Sequence, residues 1–229
     1  MKYIIGIDEV GRGALAGPVT VGIVCLPNRA RIKNSAIGVL RDSKKLSPMQ
    51  RERWVTYFKS RADIQYTVAR VYPRAIEKIN ITEAANAAAS GAFARLIKRH
   101  KIKIENCRIF LDGGLYLGNR NKCEKMRIPV RKSAKKFSKD SRAVSQYSVS
   151  TLVRGDEKIT AIKIASIIAK VHRDRYMVRL SKIYPAYGFA VHKGYGTKSH
   201  LTAIARHGPS SAHRLTFLKK YPTIINTKS

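Results

Sequence analysis

The chain has 229 residues, with 46 Lys+Arg against 14 Asp+Glu, so its formal net charge at pH 7 is +32. A hydrophobic content of 44% excludes a disordered polycation, and the length is enough to bury one sizeable core. The apolar stretches are strand-length, which excludes a spanning helix of ~20 residues, and since Met1-Lys2-Tyr3 runs straight into one of them no signal peptide is expected.

Residues 2–7 read as a short buried strand and 18–25 as a second, and the glycine-rich link between them predicts an antiparallel pair. Ser47-Pro48-Met49-Gln50 has the form of a capping box with Ser47 as N-cap, opening a helix through Trp54 and Phe58. A third strand is expected over 66–71. Asn80-Ile81-Thr82-Glu83 is a second capping signal, heading an Ala-rich helix that ends near His100. Residues 108–111 form a short strand stopped by Asp112-Gly113-Gly114, and 147–153 alternate like a strand before Gly155-Asp156. Ile162, Ala165, Ile168, Ala169 and Tyr176 then follow helical spacing until Pro185. Helices and strands alternate, so the expectation is a single α/β domain with a mixed sheet. Its core spans about residues 1–185, with a basic, partly helical C-terminal extension over about 186–229.

The charge is unevenly spread. Residues 175–229 hold ten Lys+Arg and no acid, and residues 119–142 hold ten more, opposed only by Glu124 and Asp140. Blocks of one sign are interaction surfaces, so a polyanionic partner is expected, nucleic acid before an anionic membrane. Cys25, Cys107 and Cys123 are odd in number and widely spaced, which suits neither a disulfide framework nor a zinc site. A reducing, cytoplasmic location is the corresponding expectation.

With so few acids, their positions are informative. Asp8 and Glu9 end the first strand, Asp112 ends the strand over 108–111, and Asp156 follows the strand over 147–153. Each alone reads as a turn or cap residue, but strand ends on one side of a sheet are where α/β proteins assemble sites. Four carboxylates drawn together would repel one another. Divalent cations relieve that conflict, and oxygen-only ligands suit Mg²⁺ or Mn²⁺. Two such ions about 4 Å apart can activate water and stabilise the leaving oxygen in phosphodiester hydrolysis.

Gly11-Arg12-Gly13-Ala14-Leu15-Ala16 fits the G-x-G-x-x-A form of a dinucleotide-binding turn. However, a strand follows where that fingerprint needs a helix, and no acid lies about twenty residues onward. The favoured reading is that these glycines let backbone approach a nucleic-acid sugar. His192, His200, His207 and His213 do not hold one helical face, and they read as phosphate-facing or solvated rather than as metal ligands. Trp54 reads as core.

GIDEVGRGALAGP at 6–18 resembles the opening motif of ribonuclease HII. DSKKLS at 42–47, FLDG at 110–113 and RGD…IASIIAKVHRD at 154–174 are similar to further signatures of that family, as are YGFAVHKGYGT at 187–197 and HGPSSAHRLTF at 207–217. The related ribonuclease HIII is similar in fold, but its opening motif differs and it carries an extra N-terminal domain. The resemblance implies a ribonuclease H fold, a mixed five-stranded sheet flanked by helices. It implies endonucleolytic cleavage of the RNA strand of RNA–DNA hybrids and of single ribonucleotides embedded in duplex DNA. Cleavage falls 5′ to the ribonucleotide, leaving 3′-hydroxyl and 5′-phosphate ends, with two divalent cations, Mn²⁺ or Mg²⁺. By motif the family's four acids fall on Asp8, Glu9, Asp112 and Asp156, the four picked by position above. Gly11, Arg12 and Gly13 match the loop that reads the ribose 2′-hydroxyl, and Tyr195 matches the tyrosine that packs on the neighbouring sugar. A monomer is expected.

Two departures stand out. Ala161 occupies a position where relatives often carry Glu, so a helper carboxylate is lost there. The interval from Asp112 to Asp156 is longer than usual by the Lys-rich block, which makes Asp140 a competitor for the fourth acid. Asp156 is preferred because Gly155 precedes it and the IASIIAK helix follows at the expected distance. The alternative from another class is a non-catalytic basic nucleic-acid-binding protein, and metal dependence separates the two.

Overall fold

The computed structural model describes residues 2–118, 148–152 and 155–222. The Lys-rich block with Asp140 and Cys123, and both ends of the strand expected over 147–153, lie outside the described residues. Five strands, β1 (Tyr3–Val10), β2 (Val19–Pro27), β3 (Gln65–Val71), β4 (Cys107–Asp112) and β5 (Ser148–Leu152), form one mixed sheet in the order β3-β2-β1-β4-β5. β1, β2 and β3 are antiparallel neighbours, as the glycine link predicted for the first pair, while β1, β4 and β5 run parallel. β2 is buried from Val19 to Leu26, which explains its continuous rather than alternating apolar run.

The helices are α1 (Pro48–Ser60), α2 (Pro73–His100), α3 (Gly155–Lys158), α4 (Thr160–Ile183), α5 (Phe189–His192), α6 (Lys198–His207) and α7 (Leu215–Leu218). Ile5, Ile7, Ile23, Ile109 and Leu111 point to one face and pack with Ile76, Ala89 and Leu96 of α2. Val24 and Leu26 point the other way, against Trp54 and Phe58 of α1 and Ile164 and Ile168 of α4. The result is three layers, with Trp54 in the core as expected.

Both capping signals form. The Ser47 hydroxyl accepts from the Gln50 N–H at 3.2 Å, and Gln50 Oε1 accepts from the Ser47 N–H at 2.9 Å. Asn80 Oδ1 accepts from the N–H groups of Thr82 and Glu83 at 2.9 and 3.0 Å. That second cap sits inside a longer element. α2 opens at Pro73 and bends at Asn80, whose φ of 63° is one that Asn tolerates.

α4 approaches the sheet at two glycines. A Cβ on Gly6 would lie 2.2 Å from the carbonyl carbon of Ala161, and one on Gly22 would lie 2.5 Å from the Ala165 oxygen. Ala161 is 1% exposed in this contact, where a larger side chain has no room to reach solvent. Gly6→Ala is expected to cost about 3 kcal/mol, because the added methyl meets helix backbone rather than a movable side chain. A lowered denaturant midpoint at unchanged m-value checks this.

Residues 187–218 fold back over the loop between β1 and β2. Tyr187, Phe189, Ile204 and Leu218 form a third apolar cluster with Leu15, Ala16, Met177 and Leu180. No helix among the described residues is long and apolar enough to cross a membrane.

Candidate active site

Parallel pairing sets the C-terminal ends of β1, β4 and β5 along one edge. Ile7 is opposite Leu111, so Asp8 and Asp112 each follow a paired core residue and turn to the face opposite it. Asp8 is 5% exposed. Burial holds its carboxyl well above the usual range, with the charges of Glu9 and Asp112 adding to the rise and a hydrogen bond from the Ser166 hydroxyl opposing it. Its Oδ1 also accepts from the Glu9 N–H at 2.7 Å.

Burial raises Glu9 as well, and Arg12 opposes the rise by donating from Nη1 to Oε1 at 3.1 Å. The other oxygen, Glu9 Oε2, is buried without a partner. Asp112 Oδ1 accepts from the Gly155 N–H at 2.6 Å, so the start of α3, and with it the backbone of Asp156, is tied to the end of β4. The side chain of Asp156 lies outside the described residues. Mutually repelling carboxylates with an orphaned oxygen are a donor set suited to a hard divalent cation. Among the described residues, no group of three or more His, Cys, Asp or Glu side chains stands close enough together to hold a metal ion by itself.

The segment 42–47 braces this edge from behind. Asp42 caps a single turn over Ser43–Lys45, and the Ser43 hydroxyl lies 2.8 Å from that of Ser166, the same group that bonds Asp8. Arg51 Nη1 donates to the carbonyls of Ser43 and Leu46 at 2.8 and 2.6 Å.

The glycine turn is held by two arginines that periodicity did not single out. Gly11 has φ 88°, and a Cβ there would lie 2.2 Å from Arg173 Nε. Arg173 donates to the carbonyls of Pro18, Ala16 and Lys193 at 3.0, 3.2 and 2.9 Å. Arg214 donates twice to Gly17 O, at 3.0 and 2.9 Å, and once to Arg12 O at 2.9 Å. Both are fully buried, and burial pulls Arg214 down to about 9, which leaves it cationic at neutral pH. Arg173 follows Ala165 and Ala169 along one helical stripe, a signal that was present in the sequence. Arg214 lies in no periodic segment, so spacing offered none. Tyr195 is half-buried beside this turn, its ring centroid 5.2 Å from Arg173 Cζ and 5.8 Å from Lys170 Nζ.

The reading of the histidines as phosphate-facing or solvated fails for His200 and His213, which are buried. His192 is half-buried and stacks on His200 with ring centroids 4.3 Å apart, whereas His207 is exposed. Their separation in sequence concealed this, because they come from α5, α6 and the loop before α7 and meet against Tyr187 and Phe189. Burial pushes both His200 and His213 down to about 4. Between pH 6.5 and 4 the unfolded chain therefore binds protons that the folded chain excludes. This stability is complete above pH 6.5 and declines as the pH falls towards 4. His213→Gln removes one such group while His200 is common to both proteins. The stability of the wild type relative to this variant is expected to drop by about 2 kcal/mol between pH 7 and pH 5, read by urea unfolding at each pH.

Comparison with known proteins bears on the whole assembly. The family profile described as Ribonuclease HII matches residues 5–220. The ribonuclease HII of Caldicellulosiruptor bescii is 37% identical over 218 residues, covering 95% of this chain and 87% of that relative. The crystal structure of ribonuclease H2 from Pyrococcus horikoshii superposes with a TM-score of 0.65 at 23% identity, covering 95% of this chain and 96% of the other. Bst-RNase HIII in complex with Mn²⁺ superposes with a TM-score of 0.70 at 20% identity, covering 99% of this chain and 71% of the other. Both structural likenesses are of fold, and the fold is ribonuclease H-like. From the family match and the C. bescii relative, the chain belongs to the ribonuclease HII family of ribonuclease H-type endonucleases.

Proposed function

We propose that the chain cleaves the RNA strand of RNA–DNA hybrids and single ribonucleotides embedded in duplex DNA. Cleavage falls 5′ to the ribonucleotide and leaves 3′-hydroxyl and 5′-phosphate ends. The observation that carries this reading is the cluster of buried Asp8 with half-buried Glu9 and Asp112 at one sheet edge, next to a glycine turn locked by two buried guanidiniums. Asp8, Glu9, Asp112 and Asp156 would hold Mg²⁺ or Mn²⁺, and a structural neighbour of the same fold was solved with Mn²⁺. Such ions supply an activated water and stabilise the leaving oxygen.

The chain's own groups do the rest. Asp8 is aimed by Ser166 and by the Glu9 N–H, and Asp112 by the Gly155 N–H, so neither carboxylate has to reorganise when substrate arrives. Arg12 orients Glu9 while leaving Oε2 available. A Cβ on Gly13 would meet nothing within 4 Å, so the outer face of the turn is open to a sugar, and Gly11, Arg12 and Gly13 present backbone to its 2′-hydroxyl. The Tyr195 ring supplies a flat apolar surface for the neighbouring sugar. The basic residues of 175–229 other than the buried Arg214 add affinity for phosphates without sequence preference.

The test is incubation with a DNA duplex carrying one ribonucleotide, with and without Mg²⁺ or Mn²⁺. One nick 5′ to the ribonucleotide, seen only with metal, is the expected result. Intact substrate under every metal condition would leave only a nucleic-acid-binding protein.

A further inference from the structure

His200 and His213 share a hydrogen bond, His192 stacks on His200, and neighbouring backbone groups dictate where each ring proton sits. The Ser210 N–H donates to His213 Nδ1 at 2.9 Å, so that nitrogen carries the lone pair and Nε2 carries the hydrogen. His213 Nε2 lies 3.1 Å from His200 Nε2, which must then accept. His200 in turn carries its hydrogen on Nδ1 and donates to the Tyr195 carbonyl at 2.9 Å. His192 closes the other side. The Gly194 N–H donates to its Nδ1 at 3.2 Å, and its Nε2 donates to the Tyr187 carbonyl at 2.7 Å. Every ring nitrogen has a partner, His213 Nδ1 having the Ser210 hydroxyl at 2.9 Å as well, and in this arrangement every ring is neutral. A proton added to the His200–His213 pair would set two N–H groups facing one another. The depressed proton affinity of both rings agrees with that arrangement.

The hydrogen-bonded pair ends on the turn that carries Tyr195. The Tyr195 carbonyl accepts from His200 and from the Thr197 N–H at 2.8 Å, and its own N–H donates to His192 O at 3.0 Å. One residue earlier, the Gly194 carbonyl accepts from the N–H groups of Leu15 and Ala16 at 2.8 and 3.2 Å, which is the far end of the glycine turn. The approach is tight, since a Cβ on Gly194 would lie 2.6 Å from Ala16 O. His213 reaches the same place from the opposite side. Its backbone is bridged to Ala16, flanked by bonds from Gly17 N–H to Ala212 O and from Arg214 N–H to Leu15 O, both 2.8 Å. His213 is thus joined to the glycine turn by its backbone and to Tyr195 by its side chain.

We propose that His213 and His200 are positioning residues, a neutral relay that fixes the spacing between Tyr195 and the glycine turn and so sets the preference for an isolated ribonucleotide. The inference rests on the reading of Tyr195 and of Gly11–Gly13 as sugar-contacting groups. An isolated ribonucleotide offers one 2′-hydroxyl in one register, so it depends on that spacing. A continuous RNA strand offers a 2′-hydroxyl at every step, and a displaced turn still finds one.

Two measurements test it. Imidazole ¹⁵N NMR of the wild type is expected to show His200 protonated on Nδ1 and His213 on Nε2, both neutral at pH 6. The opposite tautomers, or a charged ring at pH 6, would overturn the relay. The second measurement is the ratio of kcat/KM for a duplex with one ribonucleotide to that for an all-RNA hybrid strand. His213→Leu keeps an apolar side chain of similar reach but breaks the hydrogen bond to His200, and should lower the ratio about tenfold, with all-DNA affinity retained. His213→Gln restores an N–H at the Nε2 position and should hold the ratio within about twofold of wild type. An unchanged ratio in the Leu variant, or an equal fall on both substrates in a folded protein, would overturn the proposal. If the Leu variant does not fold, the wild-type tautomers and His200→Asn decide. Asn retains a donor to the Tyr195 carbonyl but severs the link to His213, so a wild-type ratio in that variant would show the relay to be idle. A protein that cleaves neither substrate would overturn the proposed activity alone. The tautomers, and a shift of the Tyr195 ring resonances in the His213 variants, would then still decide the relay.

Discussion

Asp112→Asn is expected to lower cleavage by orders of magnitude while affinity for duplex survives. The substitution is close to isosteric, and Asn Oδ1 can still accept the Gly155 N–H that Asp112 holds at 2.6 Å, so the junction of β4 and α3 is retained. What is lost is one negative charge at the edge shared with Asp8 and Glu9, where a cation would be held. A group that acts on the chemical step rather than on binding lowers kcat, because uniform binding is untouched. Single-turnover cleavage and fluorescence anisotropy with the same ribonucleotide-containing duplex separate the two effects. Near-normal turnover would move the metal site away from this edge.

Arg173→Met is the second change with a large expected effect, and it acts through the fold. Met matches much of the volume but leaves the carbonyls of Ala16, Pro18 and Lys193 without their donors in a buried setting. Each orphaned carbonyl costs about 1–3 kcal/mol, and relief of the buried guanidinium offsets part of the sum, so a net loss of about 3 kcal/mol is expected. Arg173→Lys should recover little. A single ammonium cannot span three carbonyls that a planar fork reaches at once. The same changes alter the packing beside Gly11, which lies against the Arg173 side chain, so preference for a ribonucleotide should fall with stability. Urea unfolding gives the first quantity and cleavage of matched DNA and ribonucleotide duplexes the second. A fully stable Arg173→Met protein would show that the carbonyls find water instead.

The features legible in the sequence are those whose causes lie within a few residues. Ser47 and Gln50 make their reciprocal bonds wherever the helix is placed, and Asn80 caps the Ala-rich segment even though a preceding turn joins it. The β1–β2 pair followed from two apolar runs and a glycine link. The positions of Asp8, Glu9 and Asp112 near strand ends were also local facts, although β1 runs on to Val10 and pairs Asp8 with Gly22 and Glu9 with Val21, and motif resemblance singled out the same residues.

Their convergence was not local. It depends on β4 pairing parallel to β1 across nearly a hundred intervening residues, in a register that no strand sequence encodes alone. The buried cations and histidines were further from reach. By composition Arg173, Arg214, His200 and His213 belong to a basic surface, and their burial is tolerated only because carbonyls and ring nitrogens contributed by distant loops satisfy them. The sequence by itself determined the elements, the caps and which acids stand at strand ends, since those follow from short-range backbone chemistry. Only the tertiary structure decided which polar groups are buried together, because each pairing joins chain segments whose partners exist only once the sheet and its C-terminal cover have closed.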